Sequence, residues 1–196
     1  MATPDYLLER TSAASAAPVS LAEVKLDQRI EHDDDDSLLE ALIAAATEYA
    51  QEFVGKALIS EEWALSVRSA GRDGRIKLPV TPVSALVSVG YFDSDNQAQS
   101  LNVSDFYLYS GEDWAYIEPI SGSWPAAYDR LDALTVTFTA GYGAAAEDVP
   151  STIRQAIRLL VGHWYENRLA ASDIVVQKIP FGADALLGLS RKGWVA

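Results

Sequence analysis

The sequence predicts an α+β protein: a helical core of two N-terminal helices and one long C-terminal helix, with an inserted antiparallel β-sheet block and an extended C-terminal tail. Three observations predict it. Apolar residues recur at steps of three and four over residues 38–53 and again over 153–164, the spacing of one helix face. Between Leu58 and Thr139 the period drops to two, as on strands with one face covered. Pro79, Pro82, Pro119 and Pro125 fall between the alternating runs, where a missing N–H costs no ladder bond.

Composition sets the limits. The 196 residues carry a formal charge of −13, are 49% apolar and include no cysteine. That length fits one domain, or one domain with a sizeable insertion, and the apolar fraction is that of a folded chain. Without cysteine there is no disulfide, thiolate nucleophile or cysteine-ligated zinc. No apolar run approaches the roughly 20 residues that span a bilayer, so no membrane partner is expected. Met1 to Pro18 lacks a basic start and an apolar core and is not read as a signal peptide. Charge is uneven, with a net of −8 over residues 1–60, −7 over 61–147 and +2 over 148–196. Phosphate neutralisation needs clustered Lys and Arg, which the first three quarters of the chain do not supply. The acidity serves solubility, or marks a body that repels DNA while a weakly basic tail meets another protein.

Residues 1–19 are Ala/Ser-rich without a hydrophobic period and read as a mobile N-terminal arm. The core helices occupy residues 20–57. Ser20 followed by Glu23 has capping-box spacing and opens a short helix to about Ile30. The run Asp33–Asp36 then reads as carboxylates gathered at the positive end of the next helix, where they cap free N–H groups. That helix carries Leu38, Leu39, Leu42, Ile43, Ala46, Tyr49, Ala50 and Phe53 on its apolar stripe, and Gly55 stands where a left-handed terminal residue is wanted. Residues 58–147 form the inserted block of about six short strands. Val83 to Phe92 leads through the polar turn Asp93–Gln97 into a strand over Leu101 to Tyr109, followed by Trp114–Ile117 and Leu134–Thr139. Residues 148–170 make the closing helix, capped by Ser151 and striped by Ile153, Ile157, Leu160, Val161 and Trp164, with Arg154 and Arg158 off its centre. Residues 171–196 show no clear period and read as a tail.

No catalytic pattern emerges. His32 lies in the acidic linker, and His163, beside Trp164 on a helix, reads as a packed side chain. The nucleophile-elbow and phosphate-loop patterns are missing, and Gly141-Tyr-Gly143 is too short for a dinucleotide loop. A calcium loop starting at Asp93 would need glycine at its sixth place and glutamate at its twelfth, where Ala98 and Ser104 stand. The residues therefore describe an interaction protein without a cofactor or metal, not an enzyme. A metal-dependent hydrolase using Asp33–Asp36 and Glu112-Asp113 is the alternative from another class.

In order along the chain, several segments carry a family likeness. Leu21-Ala-Glu-Val-Lys25, Arg29-Ile-Glu-His-Asp-Asp-Asp-Asp36, Leu38 to Ala46 with Tyr49, and Gly55-Lys-Ala-Leu58 resemble the opening of the head–tail connector (adaptor) proteins of long-tailed bacteriophages, prophages and gene transfer agents. Pro82 to Val89 with Tyr91 and Asp93 is similar to the inserted block of longer members, and Thr135 to Gly143, Asp148-Val-Pro150 and Ile153 to Arg168 to their closing helix. The resemblance spans about residues 20–170, reaching the tail only through Pro180 and Leu186-Leu187.

The resemblance implies a virion or phage-like particle protein, present in the host cytoplasm before assembly. It implies a ring of twelve subunits beneath the portal protein that extends the DNA channel and meets a stopper, head-closure or tail protein on its far side. Double-stranded DNA would pass through the lumen without sequence-specific binding. The tail would then hold the portal, with Ile174, Val176, Phe181, Leu186, Leu187, Arg191 and Trp194 as candidates. Another phage structural part, a stopper or tail-completion protein, is the nearer alternative, although helix–β–helix order favours the connector.

Overall fold

The fold comes from a computed structural model that describes residues 6–167, 181–191 and 193. It is mixed helix and antiparallel sheet, in two compact units. One unit takes the chain up to Ala14 together with Ser60–Tyr142. The other takes Ser15–Ile59 together with the chain from Gly143 onward.

The helical unit holds α1 (Leu21–Gln28), α2 (Asp36–Val54), α3 (Ser151–Glu166) and α4 (Phe181–Gly188). The capping box at the start of α1 is present: Ser20 Oγ accepts the Glu23 N–H at 3.2 Å, and the Ser20 N–H donates to the Glu23 carboxylate at 2.9 Å. Gly55 ends α2 at φ 71°, its N–H donating to the Gln51 carbonyl at 2.8 Å. Leu39, Ile43, Ala46, Ala50 and Val54 of α2 are buried, as are Ile153, Ala156, Ile157, Leu160 and Val161 of α3, and the two helices pack against each other. Each of the larger aliphatic side chains contributes about 1.5–3 kcal/mol by leaving water, which is what holds so long a pair together.

Three details of this unit depart from the sequence expectation. Ser151 does not cap α3; Pro150 takes the capping position and Ser151 is the first helical residue. The aspartates do not cap α2 either: Asp35 is its N-cap residue but makes no side-chain cap bond. Instead Lys25 Nζ of α1 donates to Asp33 at 2.5 Å and to Asp36 at 2.7 Å, while the Tyr165 hydroxyl of α3 donates to Asp35 at 2.6 Å. A cation and a phenol are stronger partners for a carboxylate than neutral backbone N–H groups, so the acidic run ties three helices together.

The third departure is the tail. Residues 181–188 are helical, not extended, and Ala183 and Leu187 are fully buried as α4 packs on α3 and α2. Tyr49 of α2 donates its hydroxyl to Asp184 at 3.1 Å and meets Trp164 edge-on. Eight residues make only two turns, too few for a period to show in sequence, and such a helix exists because tertiary packing supports it.

Arg154 and Arg158, one turn apart on α3, fasten α1. Arg154 donates to the Glu23 carboxylate at 2.5 Å and to the Pro18 carbonyl at 3.1 Å, and Arg158 lies 3.2 Å from Asp27. Arg154→Leu is expected to cost about 1–3 kcal/mol in denaturant unfolding, because it leaves two acceptors without their charged donor. The Ser20 backbone N–H is the largest of the influences that hold the Glu23 carboxyl below its ordinary pKa, helped by the Ser20 hydroxyl and the two arginines against a partial burial cost. A carboxylate depressed in the folded state adds stability above its unfolded pKa and loses it as pH falls through the folded value. Acid unfolding of the native chain should therefore be steeper than that of Glu23→Gln, read as the denaturation midpoint against pH.

The sheet unit contains β1 (Tyr6–Ser12), β2 (Glu61–Val67), β3 (Ile76–Lys77), β4 (Val83–Phe92), β5 (Ala98–Leu101), β6 (Phe106–Ser110), β7 (Ala115–Pro119) and β8 (Leu134–Ala140). Five strands form an antiparallel sheet in the order β1-β2-β8-β4-β5, and three form a second in the order β3-β7-β6. Along β8, Leu134, Val136, Phe138 and Ala140 are buried while Thr135, Thr137 and Thr139 face the other way, and the register sets Leu65 and Val89 on either side of Val136. Ile76, Phe106, Ala115 and Ile117 are the buried residues of the small sheet.

Within the segment read as a mobile arm over residues 1–19, residues 6–12 form β1, which pairs with β2 from Tyr6↔Val67 to Ser12↔Glu62, and Pro18 and Val19 are buried in the helical unit, while residues 1–5 lie outside the described residues. An edge strand is held mainly by its main-chain ladder, and only Leu8 of β1 is even half-buried, so no alternation marks it. The block expected over residues 58–147 thus takes its outermost strand from ahead of the helices. The strand expected over Leu101 to Tyr109 also breaks: Asn102 caps a short 3₁₀ turn at Ser104, and the chain moves from one sheet to the other. The Asp93–Gln97 segment is a hairpin turn, with Asp93 Oδ1 accepting the N–H groups of Asp95 and Gln97 and Oδ2 accepting Gln99 Nε2. These bonds, that of the Gln97 N–H first, hold the Asp93 carboxyl below its ordinary pKa.

Candidate assembly surface

Alternation on the small sheet sorts its side chains by face. On β6, Phe106 is buried and Tyr107 and Tyr109 are exposed; on β7, Ala115 and Ile117 are buried and Tyr116 and Glu118 lie on the opposite face. Antiparallel register places Tyr109 opposite Tyr116 and Tyr107 opposite Glu118. The result is a ladder of rings. Trp114 stacks on Tyr116 at 5.7 Å, Tyr116 on Tyr109 at 4.8 Å, and Tyr109 leans on Tyr107 at 6.0 Å between centroids. Arg75 lies over the Tyr116 ring at 4.5 Å and donates to Glu118 at 2.8 Å, the contact that raises its already high pKa. Partial burial, then Glu118, pushes the Tyr109 phenol above its ordinary pKa.

The turn before β7 fixes the end of this ladder. The Gly111 N–H donates to the Trp114 carbonyl at 2.7 Å, and a Cβ at Gly111 would meet the indole at 2.9 Å. Gly111→Ala should therefore displace the indole, a change readable as a shift in tryptophan emission while the unfolding midpoint moves little. Trp114 and Tyr107 are about half exposed, at 48% and 49%. A contiguous face of Trp, Tyr and Arg has the composition of a protein–protein hot spot, and a monomer gains nothing by wetting it.

The ladder is not among the sequence candidates. Its signal is there: in Phe106-Tyr-Leu-Tyr109 and Trp114-Ala-Tyr-Ile117 the aromatic hydroxyls occupy one parity and the aliphatics the other.

Of the tail candidates, the side chains of Leu186, Leu187 and Arg191 are described. Leu187 is buried in the helical unit's own core, which removes it from any outer surface. Leu186 is half-buried, and Arg191 is exposed with its guanidinium 5.5 Å from the Phe53 ring centre. Phe181 begins α4, and Ile174, Val176 and Trp194 lie outside the described residues. Leu189, which is not a sequence candidate, is 75% exposed.

Among the described residues, no group of three His, Asp or Glu side chains is placed to hold a metal ion. His32 is exposed 4.0 Å from Asp34, and His163 Nδ1 is 3.3 Å from the Asn167 amide. Nor is any helix among the described residues long and apolar enough to cross a membrane.

Comparison with known proteins bears on these surfaces. Residues 18–104 match the family model of the phage gp6-like head-tail connector proteins. No curated protein matches the chain. A chain in the neck of an empty GTA particle, computed with C6 symmetry, is 24% identical over 97% of both chains, with a TM-score of 0.81. A chain in the virion of the native gene transfer agent (GTA) particle has the same identity and coverage with a TM-score of 0.79, and one in the native GTA neck computed with C12 symmetry has a TM-score of 0.77. At that identity the likeness is one of fold, and it runs nearly end to end. The family match bears out the resemblance read from the sequence over residues 18–104.

Proposed function

We propose that this chain is a head–tail connector subunit, a reading that starts from its match to the connector family model over residues 18–104, and that it works as one member of a closed ring of twelve in the neck of a phage or gene transfer agent particle. The family match is the observation that carries the reading. The whole-length likeness to chains of particle necks, two of them reconstructed with C6 and C12 symmetry, supports it. In this reading the helical unit of two N-terminal helices and the long closing helix is the body of the ring. The portal lies on one side, a stopper, head-closure or tail protein on the other, and double-stranded DNA passes through the lumen. The role has no catalytic step.

A closed ring needs a heterologous interface, in which each subunit presents two different complementary faces. The aromatic ladder of the small sheet is offered as one of them. The C-terminal segment 171–196 is offered as the portal contact, through Ile174, Val176, Phe181, Leu186, Arg191 and Trp194 without Leu187. Mass measurement with and without a portal assembly tests the function. A stoichiometric complex with twelve chains per portal is expected, and a chain that stays monomeric beside the portal overturns it. Trp194→Ala tests the tail: portal binding should weaken with the unfolding midpoint unchanged, and unchanged binding would remove that residue from the contact.

A further inference from the structure

Dependence across the edge of the five-stranded sheet is unequal. β2 depends on β1: Glu61, only 4% exposed, has its carboxylate 3.4 Å from Arg10 of β1, and β2 without β1 would present an open row of main-chain donors and acceptors. β1 depends little on its surroundings. Six of its seven residues are exposed, so main-chain pairing and the Arg10–Glu61 contact hold it. Every one of these interactions is the same whether β1 comes from the same chain or from another copy.

A tether joins β1 to the helical unit. Ala13-Ala-Ser-Ala-Ala17 is exposed throughout and built of small residues, and the chain is next buried at Pro18 and Val19. Six residues from Ala13 to Pro18, extended at roughly 3.3–3.6 Å each, reach about 20 Å.

We propose that in the assembled ring the Tyr6–Ser12 strand of each subunit lies on Glu61–Val67 of the next copy, in the register seen within one chain. The inference rests on the ring reading of the preceding section. A strand and the sheet edge that accepts it are two different complementary surfaces, which is what a head-to-tail interface requires. Exchange forfeits no ladder bond, and in a closed ring every edge remains covered. The tether sets the only geometric condition, that the neighbour's β2 lies within its reach.

The cysteine-free sequence makes the test direct. Glu9 and Ala64 are paired across the two strands, as are Leu7 and Ser66, and paired residues of adjacent strands lie within the span of a disulfide. Glu9→Cys/Ala64→Cys chains are assembled on a portal under reducing conditions, oxidised and run on a denaturing, non-reducing gel. Exchange gives a ladder of covalent multimers up to the ring's number, collapsing to monomer on reduction. Monomers with an internal disulfide, or a ring in which no disulfide forms with this pair or with Leu7→Cys/Ser66→Cys, overturn the exchange and leave the ring reading standing. If the unsubstituted chain forms no ring on the portal, the ring reading fails and the exchange falls with it.

Discussion

Leu187→Ala is expected to destabilise the isolated chain by about 2–5 kcal/mol, the range for a buried leucine truncated where the site cannot fully collapse. Leu187 is fully buried and belongs to α4, and Ala183, also fully buried, lies one turn earlier where α4 packs on α2 and α3. Truncation removes three carbons' worth of contacts from that packing and leaves a cavity. Chemical denaturation of the free protein reads the effect, and Leu189→Ala is the control, since that side chain is largely in water. The reading of Leu187 as a portal contact predicts the reverse pattern: an unchanged midpoint and lost docking. The same reasoning changes what truncation means. Removing residues 172–196 takes away α4 and the Asp184 carboxylate that receives the Tyr49 hydroxyl, so loss of docking in that variant would report an injured helical unit as well as a missing tail.

The second large effect falls on assembly. Trp114→Ala is expected to weaken subunit association by roughly 2–4 kcal/mol, the loss typical of a central aromatic anchor, while the stability of the free chain changes by less than about 1 kcal/mol. The indole is half exposed in the single chain, so about half of its surface is still to be buried. Tyr116→Ala should also cost association, but with a larger folding penalty, because that ring lies between Trp114, Tyr109 and Arg75. Analytical ultracentrifugation, or mass measurement across a dilution series, separates the two effects. Equal ring formation by Trp114→Ala and the native chain would remove the ladder from the interface.

Legibility in the sequence tracks the length of the signal. α2 and α3 span 19 and 16 residues, enough turns for a stripe of buried positions to repeat, and β8 alternates through all seven of its residues. The Ser20–Glu23 capping box is legible because its chemistry is local: both bonds close within four residues. The hidden features depend on partners far along the chain. β1 has almost no buried side chain, and it exists because β2, fifty residues on, has an edge to cover. The roles of Asp33, Asp35 and Asp36 escape a sequence reading because Lys25 and Tyr165 come from other helices. The aromatic ladder lies between these cases. Each strand carries the right parity, but only the pairing of β6 with β7 stacks Tyr109 on Tyr116 and turns scattered tyrosines into one face.

The sheet unit is stitched from two stretches of sequence separated by the whole N-terminal half of the helical unit. The chain leaves that helical unit after Ile59 and re-enters it at Gly143, and these two residues form a parallel bridge side by side. Adjacent exit and re-entry points mean that residues 60–142 could be exchanged as one cassette without moving the ends of the helical unit. A cassette transferred alone, however, would arrive without its outer strand and with the Glu61 carboxylate stripped of its cation. Chimeras should then be more stable when the recipient's β1 keeps an arginine at position 10 to face Glu61, which couples the β1 segment to a block about fifty residues downstream.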